Sequence, residues 1–270
     1  MNYLNMYLGN EINEVNELNV LSTGKIPDDC DTLVITNPNK DFDDVTTSAI
    51  LDYIKSGKNI LWLNAAVKTN NNLPNVNEVL AEYGIKPFEV GVIRETDSSK
   101  MVMNSPSLII PKVESSTVTK DLYNTTGVIF INATKINVMD SDKLKELKVE
   151  ETQLLTTSTK SYFRTNFANS QDSPETDDEV NSFTVGAMMT KTLSEANEEN
   201  GKKAKTSKLI IYGENYFISD MSLTSSSQAP VIQYRQNKDL ALNSISYLVD
   251  REEDITARKS TGTVTYTATE

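Results

Sequence analysis

The side chains best placed to do chemistry in this sequence stand just after its apolar runs. Glu214 follows KLIIYG (Lys208 to Gly213), and Asp220 lies a little further on in GENYFISD. A carboxylate at the end of a buried strand can serve as a general base or a ligand. Paired with a hydroxyl such as Ser158, Glu214 would make a hydrolase. Asn215 adjoins Glu214, and Asn37, Asn64, Thr157 and Ser158 occupy equivalent positions after other runs. In an open parallel sheet such residues gather outside the carboxyl ends of the strands, where ligands bind. Together with Glu214 they form the candidate ligand- or partner-binding set. The plainer reading is that they cap helices and close turns, which every such sheet also requires.

The rest of the inventory removes chemistry. The 270 residues include no histidine and one cysteine, Cys30. Ser-His-Asp triads, Cys-His dyads and His-ligated zinc are therefore excluded, and so is any intrachain disulfide. Cys30 sits in PDDCD, where neighbouring carboxylates oppose thiolate formation. YGENYF has one glycine where a dinucleotide-binding turn needs three. The clusters Asp28-Asp29-Asp31, Asp177-Asp178-Glu179 and Glu252-Glu253-Asp254 lack the spacing of a calcium loop and read as solvated faces. No catalytic residue, metal or cofactor is expected. With 26 Lys and Arg against 38 Asp and Glu, the net charge is -12. That balance argues against nucleic acid and against adsorption to an anionic membrane face. No run approaches the roughly 18 apolar residues that cross a bilayer, and the start lacks the pattern of a signal peptide.

The elements that would position these residues are organised around Ile26 to Asn64. TLVIT reads as a strand ending at Asn37-Pro38. Asp41 or Asp43 can cap a helix carrying Val45, Ala49, Ile50, Tyr53 and Ile54 on one face, which Gly57 ends. NILWL is a second strand without polar alternation, so both its faces are covered. Such a unit lays two strands parallel with a right-handed crossover helix. KLIIY is a third such run and should join them in parallel. Before this unit, Tyr3, Leu4, Tyr7 and Leu8 give a short helix, and Val15 to Leu21 a strand. After it come a helix in LPNVNEVLAEYGI, strands at Phe88 to Arg94, Ser107 to Ile110 and Val128 to Asn132, and a short helix from Asp140 to Leu147. Gln153 to Phe163 reads as strand, turn and extended piece, and Ser182 to Leu193 as a strand. A solvated loop follows from Ser194 to Ser207. Asn237 should cap a last helix, and Asp254 to Lys259 and Thr263 to Thr269 read as closing strands. The chain is expected to be one α/β domain over residues 1–270, with its core at about 16–250.

The order of IPDDCDTLVITNP, YIKSGKNILWL, LPNVNEVLAEYGI, LLTTSTKSYF, SKLIIYGENYFISD and NKDLALNSISYLVDREEDITARK resembles the gliding-motility-type auxiliary proteins of ABC transport systems, whose relatives include a domain of an intraflagellar transport protein. The resemblance covers about Asn16 to Lys259. It implies a flavodoxin-like or glutamine-amidotransferase-like sandwich with a largely parallel central sheet and added β-hairpins. It also implies an extracytoplasmic domain held at the cell membrane by flanking helices, beside an ABC permease and ATPase. Family members carry a strand and a Gly-His turn before the first helix, so this chain reads as beginning inside a larger protein and ending toward a membrane anchor. The family has no established catalytic residues to carry over. Its function here would be cargo binding or coupling to the permease, with an assembly module as a further alternative.

Overall fold

The computed structural model describes residues 2–257 except 70–71, 123–125, 169–170, 197–200, 202 and 225–228. The chain opens with helix α1 (Asn2–Asn10), then the single turn α2 (Val20–Thr23). The segment read as a strand from Val15 is instead irregular up to α2, which Asn19 caps at its start and Gly24 ends in the left-handed conformation. Glu14, Asn16, Glu17 and Asn19 leave that segment too few apolar residues for a strand to bury.

The expected core unit is present. Strand β1 (Thr32–Thr36) leads to helix α3 (Asp44–Lys55) and strand β2 (Asn59–Leu63). Asp43 caps α3, its carboxylate accepting from the Thr46 N–H at 2.8 Å. Asp41 instead caps helix α4 (Pro74–Ala81), accepting from the Asn75 and Val76 N–H groups. Gly57 adopts φ +84°, where a side chain would be strained.

Beyond α4 the chain forms short pieces: β3 (Val92–Arg94), β4 (Met101–Val102), β5 (Ser105–Ile109), β6 (Lys112–Val113) and β7 (Phe130–Ile131). Helix α5 (Ser141–Leu147), capped by Asp140, precedes β8 (Val149–Thr156), β9 (Tyr162–Arg164), β10 (Glu179–Val180), β11 (Thr184–Ser194) and β12 (Lys205–Tyr212). Helices α6 (Asn237–Leu248) and α7 (Glu252–Ala257) close the described chain. The strand expected from Asp254 is thus helical as far as Ala257; Thr263 to Thr269 lies outside the described residues. Three successive acidic residues suit the first turn of a helix, whose dipole they complement.

The main sheet has the order β1-β2-β12-β11-β8-β6. β1, β2 and β12 run parallel, as TLVIT, NILWL and KLIIY were expected to do. The other three pairings, β12 with β11, β11 with β8 and β8 with β6, are antiparallel. The expectation of a largely parallel sheet is therefore corrected to a mixed one, parallel at one edge and antiparallel over the rest. A hairpin return allows no other direction than antiparallel, and β11 and β12 are joined by one.

Alternation within the central strands divides the core. Ile60, Trp62, Leu209 and Ile211 face α3 and α4, whereas Leu61, Leu63, Ile210 and Tyr212 face α6 and α1. Helices thus cover both faces of β2 and β12, while Val34 on β1 stays exposed. Asn59 joins the layers at the base, donating to the Leu248 carbonyl at 2.6 Å and accepting from the Lys208 N–H at 2.8 Å. Asn237 does not cap α6. It is buried, accepting from the Ile129 N–H and donating to the Val231 carbonyl.

Candidate functional site

The chain leaves β2 toward α4 on one face and β12 toward α6 on the other, so the gap between these strands is the topological switch point. Asn64 and Glu214 lie just past it. The rim can be followed by backbone hydrogen bonds. Asn37 N–H donates to the Leu63 carbonyl at 2.6 Å, Asn64 N–H to Tyr212 at 2.9 Å, Gly213 N–H to Val185 at 2.9 Å and Thr157 N–H to Phe183 at 2.9 Å. All six candidate residues therefore sit at the same end of the sheet.

They form a line rather than a cluster. With neighbouring strands about 4.8 Å apart, Asn37 after β1 and Thr157 after β8 are separated by about 19 Å, and Glu214 and Ser158 by about 10 Å. All but Asn215 also have a local structural role. Glu214 is fully buried, and its carboxylate accepts from the N–H groups of Tyr216 at 2.7 Å and Phe217 at 2.8 Å, with the Ile131 N–H as a third donor. It starts the single turn Tyr216–Ile218. Burial pushes its pKa up to about 8 against the pull of those donors. Asn64 accepts from the Trp62 indole N–H and donates to the Ala65 carbonyl. The Thr157 hydroxyl accepts from the Phe183 N–H at 2.9 Å. Asn37 occupies φ +43°, a turn conformation asparagine tolerates. Asp220 caps α1, accepting from the Asn2 and Tyr3 N–H groups.

Ser158 belongs to a network invisible in the sequence. Its hydroxyl donates to Glu95 at 2.9 Å, and that buried carboxylate also accepts from the Ser161 hydroxyl and the Thr96 and Asp97 N–H groups. The pairing of Glu214 with Ser158 that a hydrolase would need is absent; each has its own partners. Asn215 Oδ1 and Thr134 Oγ1 are buried with no partner among the described residues.

Beside the switch point, the segment from Ala133 to Val138 runs across the ends of β12 and β11. Thr134 N–H donates to the Gly213 carbonyl at 2.7 Å and Ile136 N–H to Thr184 at 2.8 Å. A Cβ on Gly213 would come within 2.0 Å of the Thr134 carbonyl oxygen, so only glycine permits this crossing. The rim is open at the β8/β11 end. There a polar cleft of about 490 Å³ is lined by residues including Lys86, Glu89, Lys135, Glu151, Gln153 and Glu179. Lys135 Nζ contacts Glu179 at 2.7 Å and Glu89 at 3.1 Å and lies 4.5 Å from the centre of the Phe163 ring. Burial acts to lower its pKa, but the two carboxylates outweigh it and hold the ammonium above the ordinary lysine value. Glu151, half-buried in the same cleft, has its pKa raised by burial. None of these residues follows an apolar run, so the strand-end criterion passes over them. No group of His, Cys, Asp and Glu among the described residues could hold a metal ion.

The family described as ABC-type uncharacterized transport system matches residues 8–244. The chain belongs to that family. This places it among auxiliary proteins of ABC-type transport systems, in agreement with the resemblance read from the sequence. Among solved structures, the mmIFT52 N-terminal domain is similar at 16% identity and a TM-score of 0.50, over 81% of this chain and 77% of that one. The likeness supports a shared fold. A ThuA-like protein from Bacteroides uniformis aligns at 15% identity and a TM-score of 0.37, over 83% and 71% of the two chains. No curated protein matches. No helix among the described residues is long and apolar enough to cross a membrane.

Proposed function

We propose that this family member is a non-catalytic auxiliary domain on the extracytoplasmic side of the cell membrane, held there by flanking helices. It works by contact with cargo or with the permease and ATPase of one ABC system. The observation that carries this reading is the state of the rim: the carboxylate and hydroxyls that could do chemistry are hydrogen-bonded within the protein. Glu214 holds three backbone N–H groups, and Ser158 is bound to Glu95. Fold alone does not set function, and the lack of histidine removes the commonest acid–base catalyst, which supports a reading in which function comes from what the domain binds.

The surface proposed for that contact is the open β8/β11 end of the rim. Its cleft presents both signs of charge, which suits a polar segment of a partner better than an apolar ligand. A screen of the purified chain against ester, amide and glycoside substrates tests the reading. The expected result is no turnover. Turnover that disappears in Ser158→Ala while folding is intact would establish a hydrolase instead.

A further inference from the structure

The cleft at the β8/β11 end of the rim contains polar side chains at positions that the strand pattern assigns to the core. Val149 opens β8 and is buried in the cluster packed under α3 and α4. Alternation puts Glu151 and Gln153 on the same face, where they pair in register with Met189 and Ala187, both buried in that cluster. A carboxylate and an amide thus stand where apolar residues would continue the core. Natural proteins accept such breaks in pattern at functional sites. The cleft lies at the far end of the sheet from α1 and β1.

The buried lysine of this cleft is satisfied, and the carboxylate on β8 is not. Lys135 bridges Glu89 and Glu179 and so ties two sides of the cleft together. Glu151 accepts no hydrogen bond and joins no ion pair among the described residues. Burial alone acts on it and raises its pKa, with no cation to offset the water it has lost. Two amides in the lining also offer acceptors. Asn137 Nδ2 donates to Glu89, and Gln153 Nε2 donates to the Thr184 hydroxyl at 3.1 Å, which leaves both side-chain oxygens open. Asn181 is turned the other way, its oxygen accepting from the Ser182 N–H, and it is exposed, as is Lys86. The missing complement is a cation with several N–H groups. A guanidinium can give two of its five N–H donors to the free carboxylate and others to the amide oxygens. An ammonium is more strongly hydrated and cannot bridge both carboxylate oxygens in one plane.

We propose that the cleft takes an arginine side chain from a partner segment, bound by the Glu151 carboxylate together with the side-chain oxygens of Asn137 and Gln153. This rests on the reading of the cleft as the contact surface and adds what the partner must present there. At about 490 Å³ the cleft has room for one such side chain and the backbone that carries it. The net charge of -12 draws a cationic segment toward the chain.

Titration of the isotope-labelled full chain with the end-blocked tripeptide Gly-Arg-Gly, followed by chemical shifts, tests this. The expected result is saturable shifts centred on Asn137, Glu151 and Gln153, with a dissociation constant of about 1–10 mM for so small a probe. Glu151→Gln should weaken binding at least about threefold, and so should raising salt from about 0.05 to 0.5 M. The tripeptide with citrulline in place of arginine has the same shape without the charge and should not saturate. Glu151→Gln should keep the wild-type melting temperature or raise it, since it removes an unpaired charge. No saturation by about 50 mM overturns the proposal. So does equal binding by folded Glu151→Gln or by the citrulline peptide, or a set of shifts that leaves the cleft untouched. Capture of the permease and ATPase separates this from the reading beneath it. Recovery that falls in Lys135→Glu, which breaks the bridge between Glu89 and Glu179, but holds in Glu151→Gln overturns the arginine and leaves the contact surface standing. Absence of both subunits from the wild-type capture overturns that reading, while the titration decides the arginine site by itself.

Discussion

Replacing Glu214 by alanine removes the acceptor shared by the N–H groups of Tyr216, Phe217 and Ile131. The site is fully buried, so water does not take the carboxylate's place. Each orphaned buried donor costs about 1–3 kcal/mol, which puts the loss for three of them at about 3–9 kcal/mol, a large share of the 5–15 kcal/mol that typically holds a domain folded. Denaturant unfolding followed by circular dichroism measures it. The same burial makes stability depend on pH. The unfolded chain releases this proton near the ordinary value of 4.5, while the folded chain keeps it to about 8. Between those values the folded state binds more protons, so its stability is full below about pH 4.5 and falls as pH rises through 8, by a few kcal/mol from this group. Glu214→Gln does not titrate and should flatten that slope. A Glu214→Ala variant within about 1 kcal/mol of wild type, or an unchanged slope in Glu214→Gln, would refute the reasoning.

Other substitutions probe what holds the rim. Asp178, read from the sequence as part of a solvated face, is instead buried against Arg164 at 2.9 Å with both side chains 3% exposed, and Asp178→Ala should cost about 3–5 kcal/mol by leaving that guanidinium with the Gln171 and Ser173 carbonyls but no carboxylate; a lower urea midpoint checks it. Gly213→Ala should destabilise by at least about 1–3 kcal/mol through collision with the Thr134 carbonyl, seen as a lower melting temperature. Cys30→Ser should stay within about 1 kcal/mol of wild type, since the thiol is half-buried and its polar contact is a long one, 3.6 Å to the Tyr53 hydroxyl. A measured activity lost in that variant, with folding intact, would contradict the non-catalytic reading.

The parallel half of the fold is legible because its signals are local. Asp43, the stripe of Ile50, Tyr53 and Ile54, Gly57 and the unalternated NILWL each specify one piece of a strand-helix-strand unit, and together they allow one arrangement. Strand direction in the other half is not written in the strands. β8 and β11 would look much the same in either direction, and their antiparallel pairing is set by connections through polar loops. The Glu252–Ala257 helix was legible in its acidic first turn but was masked by the β-branched residues around it. For the site, position could be read and orientation could not. Glu214 does stand at the switch point, yet whether its carboxylate looks outward depends on Tyr216, Phe217 and the distant Ile131 folding over it. Glu95 and Lys135 gain their partners from residues more than forty positions away, Ser158 and Ser161 for the first and Glu89 and Glu179 for the second. No local pattern marks such contacts.

The central claim is that this chain acts through a partner and not through chemistry of its own. Affinity capture of the tagged full-length protein from detergent-solubilised native membranes, with the bound proteins identified and quantified, tests it most directly. The account predicts that the permease and ATPase of one ABC system are recovered with it in fixed proportion, and that Lys135→Glu, which reverses charge in the rim cleft, reduces their recovery. Capture of the chain without either subunit, under conditions that keep the permease and ATPase together, would contradict it.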